Sequence, residues 1–498
     1  MAFPAITRLR TPLALALVAL TAAFVALAPP AHAAGIKTAF VEYPTTAFVG
    51  DQAPTGFARI RDAGGSMIKI GVDWAVIGGP ARPADPADPR SPGYNWAALD
   101  ALVQNAAAGG VEPFLMISRS PKWASTPGSA KGGWWTPKLS ELGLFARALA
   151  TRYSGSFDAS ADQYSQELLP RVRYYQVWNE PNLNFFLSPQ HKNGRLVAAS
   201  LYRSMVNTVT AAVKGVDGRN VVIAGGTGPF KRSLNSAPIV FLRALVCLDA
   251  KLKPIRGCGP VRFDIWGHHP YTSGGPTHKA SGRGDASMGD LPRIRQVLNT
   301  AKKRGKIATS GPVGFWVDEF GWDSRPPDPH GVPTALLKRW IAESMYRMWT
   351  SGVGLVAWLQ LSDNPWTGPC GDPYQSGFYF AAADIRKARP KATLAALRFP
   401  FVALRSRHRI VLWGRTLGSH AGRVTIERKT GGAWRRVGRL TAKSTVIFTG
   451  KWGVPWSTGY LRARVGTSVS VPFSLHAPHD RFVNPFGSIP PSGGCAKR

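Results

Sequence analysis

The sequence predicts an α/β protein: a (β/α)8 TIM barrel with a C-terminal all-β sandwich-like domain. Three observations predict it. Between residues 34 and 399, short β-branched and aromatic runs alternate with helical patterns, giving eight strands and eight helices. Two of the runs deliver a glutamate at their C-terminal tip, where a parallel barrel gathers its reactive groups. Past Pro400 the pattern switches to short alternating strands with Gly turns. An open doubly wound sheet is the competing fold, but no Gly-rich phosphate loop follows the first strand.

Residues 1–33 read as a secretory signal peptide. Arg8 and Arg10 form a basic start, Pro12 to Ala28 is apolar, and Ala31-His32-Ala33 is a small-x-small cleavage site. The apolar run is short for a membrane span, so an uncleaved anchor is the lesser reading. The mature chain is expected outside the cytoplasm, secreted or held at the cell surface.

The first strand is expected over Ile36 to Tyr43, followed by a helix from Thr55 to Ala63 that Gly64-Gly65 ends. Met67 to Trp74 is the second strand, and Ala97 to Ala108 an amphipathic helix closed by Gly109-Gly110. Strand three is Val111 to Ser118, helix three Leu139 to Tyr153, strand four Val172 to Trp178 and helix four Arg195 to Val213. Asn220 to Ala224 and Phe263 to Gly267 are strands five and six, with a helix over Pro238 to Leu248 between them. The Gly- and Ser-rich stretch Thr272 to Gly289 is long enough for a mobile active-site loop. Asp290 is expected to cap the helix Leu291 to Lys303. Val313 to Asp318, Thr334 to Thr350, Gly354 to Leu361 and Lys391 to Leu397 complete the barrel. Residues 400–476 form the β domain and 477–498 a tail.

Hydrophobic residues make up 44 % of the chain and charged residues 18 %, so a large core can form. Seventeen tryptophans suit either core packing or stacking on sugar rings. The net charge is +34, and residues 401–498 hold 17 Lys and Arg against two acids, Glu427 and Asp480. No nucleic-acid motif accompanies this charge, and the leader points to export. An anionic cell-envelope polymer or acidic polysaccharide fits better, docked by the basic β domain. A packing module with a general bias toward arginine is the plainer reading. Export permits disulfides. Of the three connectivities that four cysteines allow, the short loop between Cys247 and Cys258 favours that pair, leaving Cys370 with Cys495. No spacing suggests a metal or cofactor.

Two segments carry the chemistry. Tyr174-Tyr175-Gln176-Val177-Trp178-Asn179-Glu180-Pro181-Asn182 is a buried strand that stops abruptly at a carboxylate. Gly314-Phe315-Trp316-Val317-Asp318-Glu319-Phe320-Gly321-Trp322 has the same form. Two such glutamates facing each other across a barrel mouth are what glycoside hydrolysis needs. Asp318 adjoins Glu319, but strand alternation assigns it to the other face as a structural carboxylate.

The Trp-Asn-Glu-Pro-Asn segment and the later Glu-Phe-Gly-Trp resemble the acid/base and nucleophile strands of clan A glycoside hydrolases, families 5 and 39 most of all. The likeness runs from about Phe57 to Leu397 and includes Tyr94-Asn95-Trp96, Leu99-Asp100 and Pro121-Lys122-Trp123. It implies a secreted retaining hydrolase acting on a polysaccharide or oligosaccharide, of the kind that handles equatorial linkages. On these residues Glu180 is implied as acid/base and Glu319 as nucleophile. Tyr271, in His269-Pro270-Tyr271, is implied as donor to Glu319, and Asn179 as partner of the sugar 2-hydroxyl. Trp358 is implied as the platform beneath the reacting sugar, with Trp123 and Trp322 as subsite walls. His269 is implied as a substrate-binding residue, with the satisfaction of loop carbonyls as the alternative for it and for His268. Where clan members carry Arg near the end of strand two, this chain has Lys69, which keeps the cation without the guanidinium fork. A non-catalytic glycan-binding or envelope protein on the same barrel and a transglycosylase are the competing functions.

Overall fold

The computed structural model describes residues 35–127, 134, 136–160, 167–231, 234–366, 374–406, 408–417 and 421–476. Eight parallel strands close into a barrel. They are β1 Lys37–Val41, β2 Gly65–Asp73, β3 Glu112–Ser118, β4 Tyr174–Val177, β5 Val221–Thr227, β6 Ile265–His268, β7 Gly314–Phe320 and β8 Leu355–Trp358. Each is followed by its helix: α1 Ala53–Asp62, α2 Ala97–Ala108, α3 Leu139–Arg152, α4 Ala198–Val216, α5 Pro238–Leu245, α6 Leu291–Lys303, α7 Thr334–Thr350 and α8 Leu394–Arg398.

The helices form where apolar residues recur at helical spacing. In α2 the buried set is Leu99, Leu102, Val103 and Ala106, one face of two turns. That helix stops where Gly110 takes φ +67°, a conformation side chains resist. Strands carry the other period. Ala39, Met67, Phe114, Ile223, Ile265, Trp316, Leu355 and Ala357 point inward and fill the barrel. Their neighbours along the strands face the helices and join the larger outer core.

Some expected boundaries move. Helix α5 ends at Leu245, because Cys247 turns to φ +56° and bonds to Cys258 across a Cα–Cα distance of 5.7 Å. The Cys370–Cys495 pairing lies outside the described residues. Asp290 does not cap α6 with its side chain. Its carboxylate turns back on the preceding loop instead, accepting from Ala280 N (2.8 Å) and Ser287 N (3.2 Å). With Ala286 and Met288 buried, the 272–289 loop is pinned to the barrel rather than hung as a free lid.

Past α8 come two antiparallel sheets. One holds β9 Phe401–Ser406, a strand the sequence reading missed, with β10 Arg409–Arg415 and β13 Ile447–Gly453. The other holds β11 Gly422–Thr430, β12 Ala433–Ala442, β14 Tyr460–Val465, β15 Ser468–Val469 and β16 Phe473–Ser474. The sheets rest on the barrel through apolar and arginine contacts. Trp413 packs on Tyr346 and Trp349 of α7. Arg415 is buried and donates to Ile36 O (2.9 Å) and Thr38 Oγ1 (2.8 Å) beside β1. Among the described residues no helix is long and apolar enough to cross a membrane.

Candidate active site

At the C-terminal end of the barrel the apolar filling gives way to polar side chains. Lys69, Gln176, His269 and Asp318 are buried there, from β2, β4, the end of β6 and β7. Gln176 lies two residues beyond Tyr174, and both point toward the interior, so strand alternation alone placed it. Its Nε2 donates to Asp318 Oδ2 at 2.8 Å.

Glu180 sits on a tight turn. Trp178 and Glu180 take φ +67° and +37°, strained values for non-glycine residues. The turn is over-determined by its neighbours. Trp178 Nε1 donates to Phe186 O (2.6 Å), and Glu180 N to Gly226 O (3.0 Å). Asn182 Nδ2 donates to Gly228 O (3.0 Å), and its Oδ1 accepts from Gly228 N (2.9 Å). The Asn-Glu-Pro-Asn segment is thus stapled to the glycine-rich end of β5. Asn179 Oδ1, just before the glutamate, is buried without a hydrogen-bond partner among the described residues.

Glu319 sits across the mouth. Tyr271 Oη donates to its Oε1 at 3.0 Å, and Lys69 Nζ lies 3.4 Å from its Oε2. The same ammonium is 3.5 Å from Asp318 Oδ2. Asp318 was expected on the opposite face, and the structure corrects this. Between Val356 and Trp358 of β8, the pairing spans Val317 to Phe320 of β7, so β7 carries one extra residue there. Such a bulge breaks alternation and turns both carboxylates toward one cation.

His269 connects the two sides. Its Nδ1 is 3.0 Å from Glu180 Oε1 and its Nε2 is 3.3 Å from Asp318 Oδ2. Burial alone would lower its proton affinity, but the Glu319 and Asp318 carboxylates outweigh that and push the imidazole up to about 10. It is therefore an imidazolium at neutral pH. Burial likewise would raise Asp318 and Glu319, and His269 with Lys69 holds both below the usual carboxylate range. Burial and the Glu319 charge push Tyr271 well above an ordinary phenol, so it remains a donor. His268 is the structural histidine of the pair. It meets Thr227 Oγ1 (2.9 Å) and Ala286 O (3.0 Å), and burial lowers it to about 4.

The tryptophans divide differently from expectation. Trp358 is 2 % exposed and packs on Phe320 and Phe378 in the outer core. Leu355 and Ala357 hold the inward positions of β8, so alternation turns Trp358 away from the mouth, and it offers no platform. Trp322 is also 2 % exposed, edge-on to Phe320 and tilted against Trp340 with its Nε1 on Gly274 O, and is no subsite wall. Trp123 remains half-buried at the end of β3, its Nε1 on Gly79 O (3.1 Å).

Aromatic surface at the mouth comes instead from residues the sequence reading missed. Tyr374 is 38 % exposed, meets the Tyr43 ring edge-on at 5.7 Å, and lies within electrostatic reach of Tyr271. A buried cluster anchors its segment. Lys391 Nζ donates to Asp363 Oδ1 (2.6 Å), Ser324 Oγ (2.7 Å) and Gln375 O (3.0 Å). No motif announces such a rim, since it is assembled from β1 and the loop after β8. Glu42, at the tip of β1, is a fourth carboxylate of the mouth; burial raises it, against donors from Thr45 and Gly71.

Glycine is required within this assembly. Gly226 has φ +60°, and a Cβ there would lie 2.6 Å from Gln176 Nε2 and 3.0 Å from Asp318 Oδ2. Gly226→Ala is expected to cost about 1–3 kcal/mol of stability and to lower activity with it. Thermal unfolding and kcat/KM measured together check this; an unchanged melting temperature would show that the β5 tip yields freely.

No protein-family model matches the chain, and no curated protein matches it in sequence. Solved structures do. A family 39 glycoside hydrolase from the gut symbiont Bacteroides cellulosilyticus WH2 aligns over 84 % of this chain and 81 % of its own, at 15 % identity and TM-score 0.51. A monomeric beta-xylosidase from Caulobacter crescentus CB15 aligns over 85 % and 96 %, at 16 % identity and TM-score 0.47. A GH39 beta-xylosidase from Caulobacter crescentus aligns over 80 % and 84 %, at 18 % identity and TM-score 0.47. The chain therefore has the fold of a family 39 glycoside hydrolase, as its strand-end motifs implied.

Proposed function

We propose that this chain is a retaining glycoside hydrolase, working outside the cytoplasm on a polysaccharide or oligosaccharide. One observation carries the reading. Glu319 is kept ionised between a cation and a phenol donor, while Glu180, on the facing strand tip, shares a hydrogen bond with an imidazolium.

In the first step Glu319 attacks the anomeric carbon as the bond to the leaving oxygen breaks, and Glu180 supplies the proton that oxygen takes. Retaining enzymes keep the two carboxyl groups about 5 Å apart for this purpose. Asn179, with its unpartnered Oδ1, is suited to accept from the sugar 2-hydroxyl. Tyr271 and Lys69 release the Glu319 oxygens as their charge passes into the glycosyl ester. In the second step Glu180 takes a proton from water, which attacks the same carbon and frees Glu319.

His269 responds to that exchange. Its high proton affinity comes in part from the Glu319 charge, so it holds its proton less tightly once Glu319 becomes a neutral ester.

Reducing-end release from a panel of plant and bacterial-envelope polysaccharides tests the reading, with wild type beside Glu180→Gln. The substitution is expected to lower turnover by about 10²–10⁴-fold with unchanged melting. Binding without release in the wild type would favour a non-catalytic glycan-binding protein. Products longer than the substrate would favour transglycosylation.

A further inference from the structure

The appended sheet of β11, β12 and β14 has one buried face and one exposed face. Val424 and Ile426 point inward, so Arg423, Thr425, Glu427 and Lys429 of β11 share the outward face. The pairing register extends that face across both neighbours. Thr425 stands opposite Arg439 and Arg464, Glu427 opposite Arg436 and Arg462, and Lys429 opposite Trp434. Six cations and a single acid thus occupy one side of three strands.

Glu427 serves only two of the cations, accepting from Arg462 Nε at 2.6 Å and Arg464 Nε at 2.9 Å. Arg423, Lys429, Arg436 and Arg439 are exposed and form no ion pair among the described residues. Like charges gathered across strands are unfavourable in the free protein, and an anionic ligand removes the repulsion. The face also has aromatic surface. Trp434 lies beneath the Arg462 guanidinium at 4.2 Å, and Tyr460 is 49 % exposed.

We propose that this face docks an acidic polysaccharide, a chain carrying carboxylates on successive sugar units. Residues opposite one another on paired strands stand about 5 Å apart, and alternate residues along a strand roughly 7 Å apart. Those intervals match repeating charges separated by single sugar rings. Guanidinium groups grip carboxylates through paired hydrogen bonds, and Trp434 and Tyr460 offer flat surface to ring faces. The choice of a sugar polymer over other polyanions rests on the glycosidase reading of the barrel. The docking itself requires no turnover.

The test uses the full chain in affinity electrophoresis and co-sedimentation at 0.15 M salt. Polygalacturonate is compared with its methyl ester, which keeps the backbone and removes the charge, and with duplex DNA. Polygalacturonate is expected to retard the protein and the ester to leave it free. Arg436→Glu/Arg439→Glu is expected to weaken that retardation at least tenfold, and Arg436→Gln/Arg439→Gln less, with thermal unfolding showing both folded. Equal binding of the ester, no difference in either variant, or tighter binding of DNA than of polygalacturonate would overturn the proposal. A wild type that binds polygalacturonate but cleaves no glycan would sink the glycosidase reading and leave the docking intact.

Discussion

Glu319→Ala is expected to abolish turnover of an aryl glycoside, by on the order of 10⁴–10⁶-fold, while the barrel stays folded. In the proposed mechanism the removed carboxylate is the attacking group. Asp318 adjoins it but is buried and bound by Gln176, His269 and Lys69. Sodium azide added to the variant supplies a small anion to the space left by the side chain. It should attack the anomeric carbon directly, displace the aryloxide and leave a glycosyl azide of inverted configuration. The product's anomeric configuration reads the role of Glu319 without relying on rate. Rescue with retained configuration would assign Glu319 as the acid/base and Glu180 as nucleophile. Wild-type rates in Glu319→Ala would remove it from the chemistry altogether.

Lys69→Met should produce the largest stability effect of any single change in the mouth. Its ammonium is buried between Asp318 and Glu319, with side-chain exposures of 2 %, 0 % and 21 %. Removing one partner of a buried pair leaves an uncompensated charge, a loss of about 3–5 kcal/mol. The acid limb of kcat/KM should also move to higher pH, because Glu319 loses one of the two cations that hold it low. Lys69→Arg, which keeps the charge, should recover most of the pH profile. Unchanged melting and an unchanged acid limb in Lys69→Met would show that the cation is incidental.

The same cluster makes stability depend on pH from both directions. Asp318 is held below its ordinary value of 3.8, so its contribution is present above that pH and is lost as pH falls through the lower folded value. His269 is raised from 6.5 to about 10, so its contribution is full below 6.5 and is lost as pH rises toward 10. Stability should therefore be greatest between these ranges, and denaturant midpoints across pH measure it.

The sequence by itself determined the order of strands and helices, because side-chain period is local. Period two and period 3.6 are written in neighbouring residues, and Gly109-Gly110 marks its stop directly. It also determined which glutamates end their strands, since Asn179-Glu180-Pro181 and Glu319-Phe320-Gly321 are contiguous. Tertiary structure decided which side chains share a space. A bulge in β7 against β8 turned Glu319 onto the inward face that alternation already gives Asp318, two residues past Trp316. Register within β8 turned Trp358 outward, although its position near the strand end suited a platform. Tyr43 and Tyr374 meet at the mouth from opposite ends of the barrel domain, and no local pattern encodes a contact between residues so distant in the chain. Closure of the barrel supplies that contact, because it makes β1 and β8 neighbours.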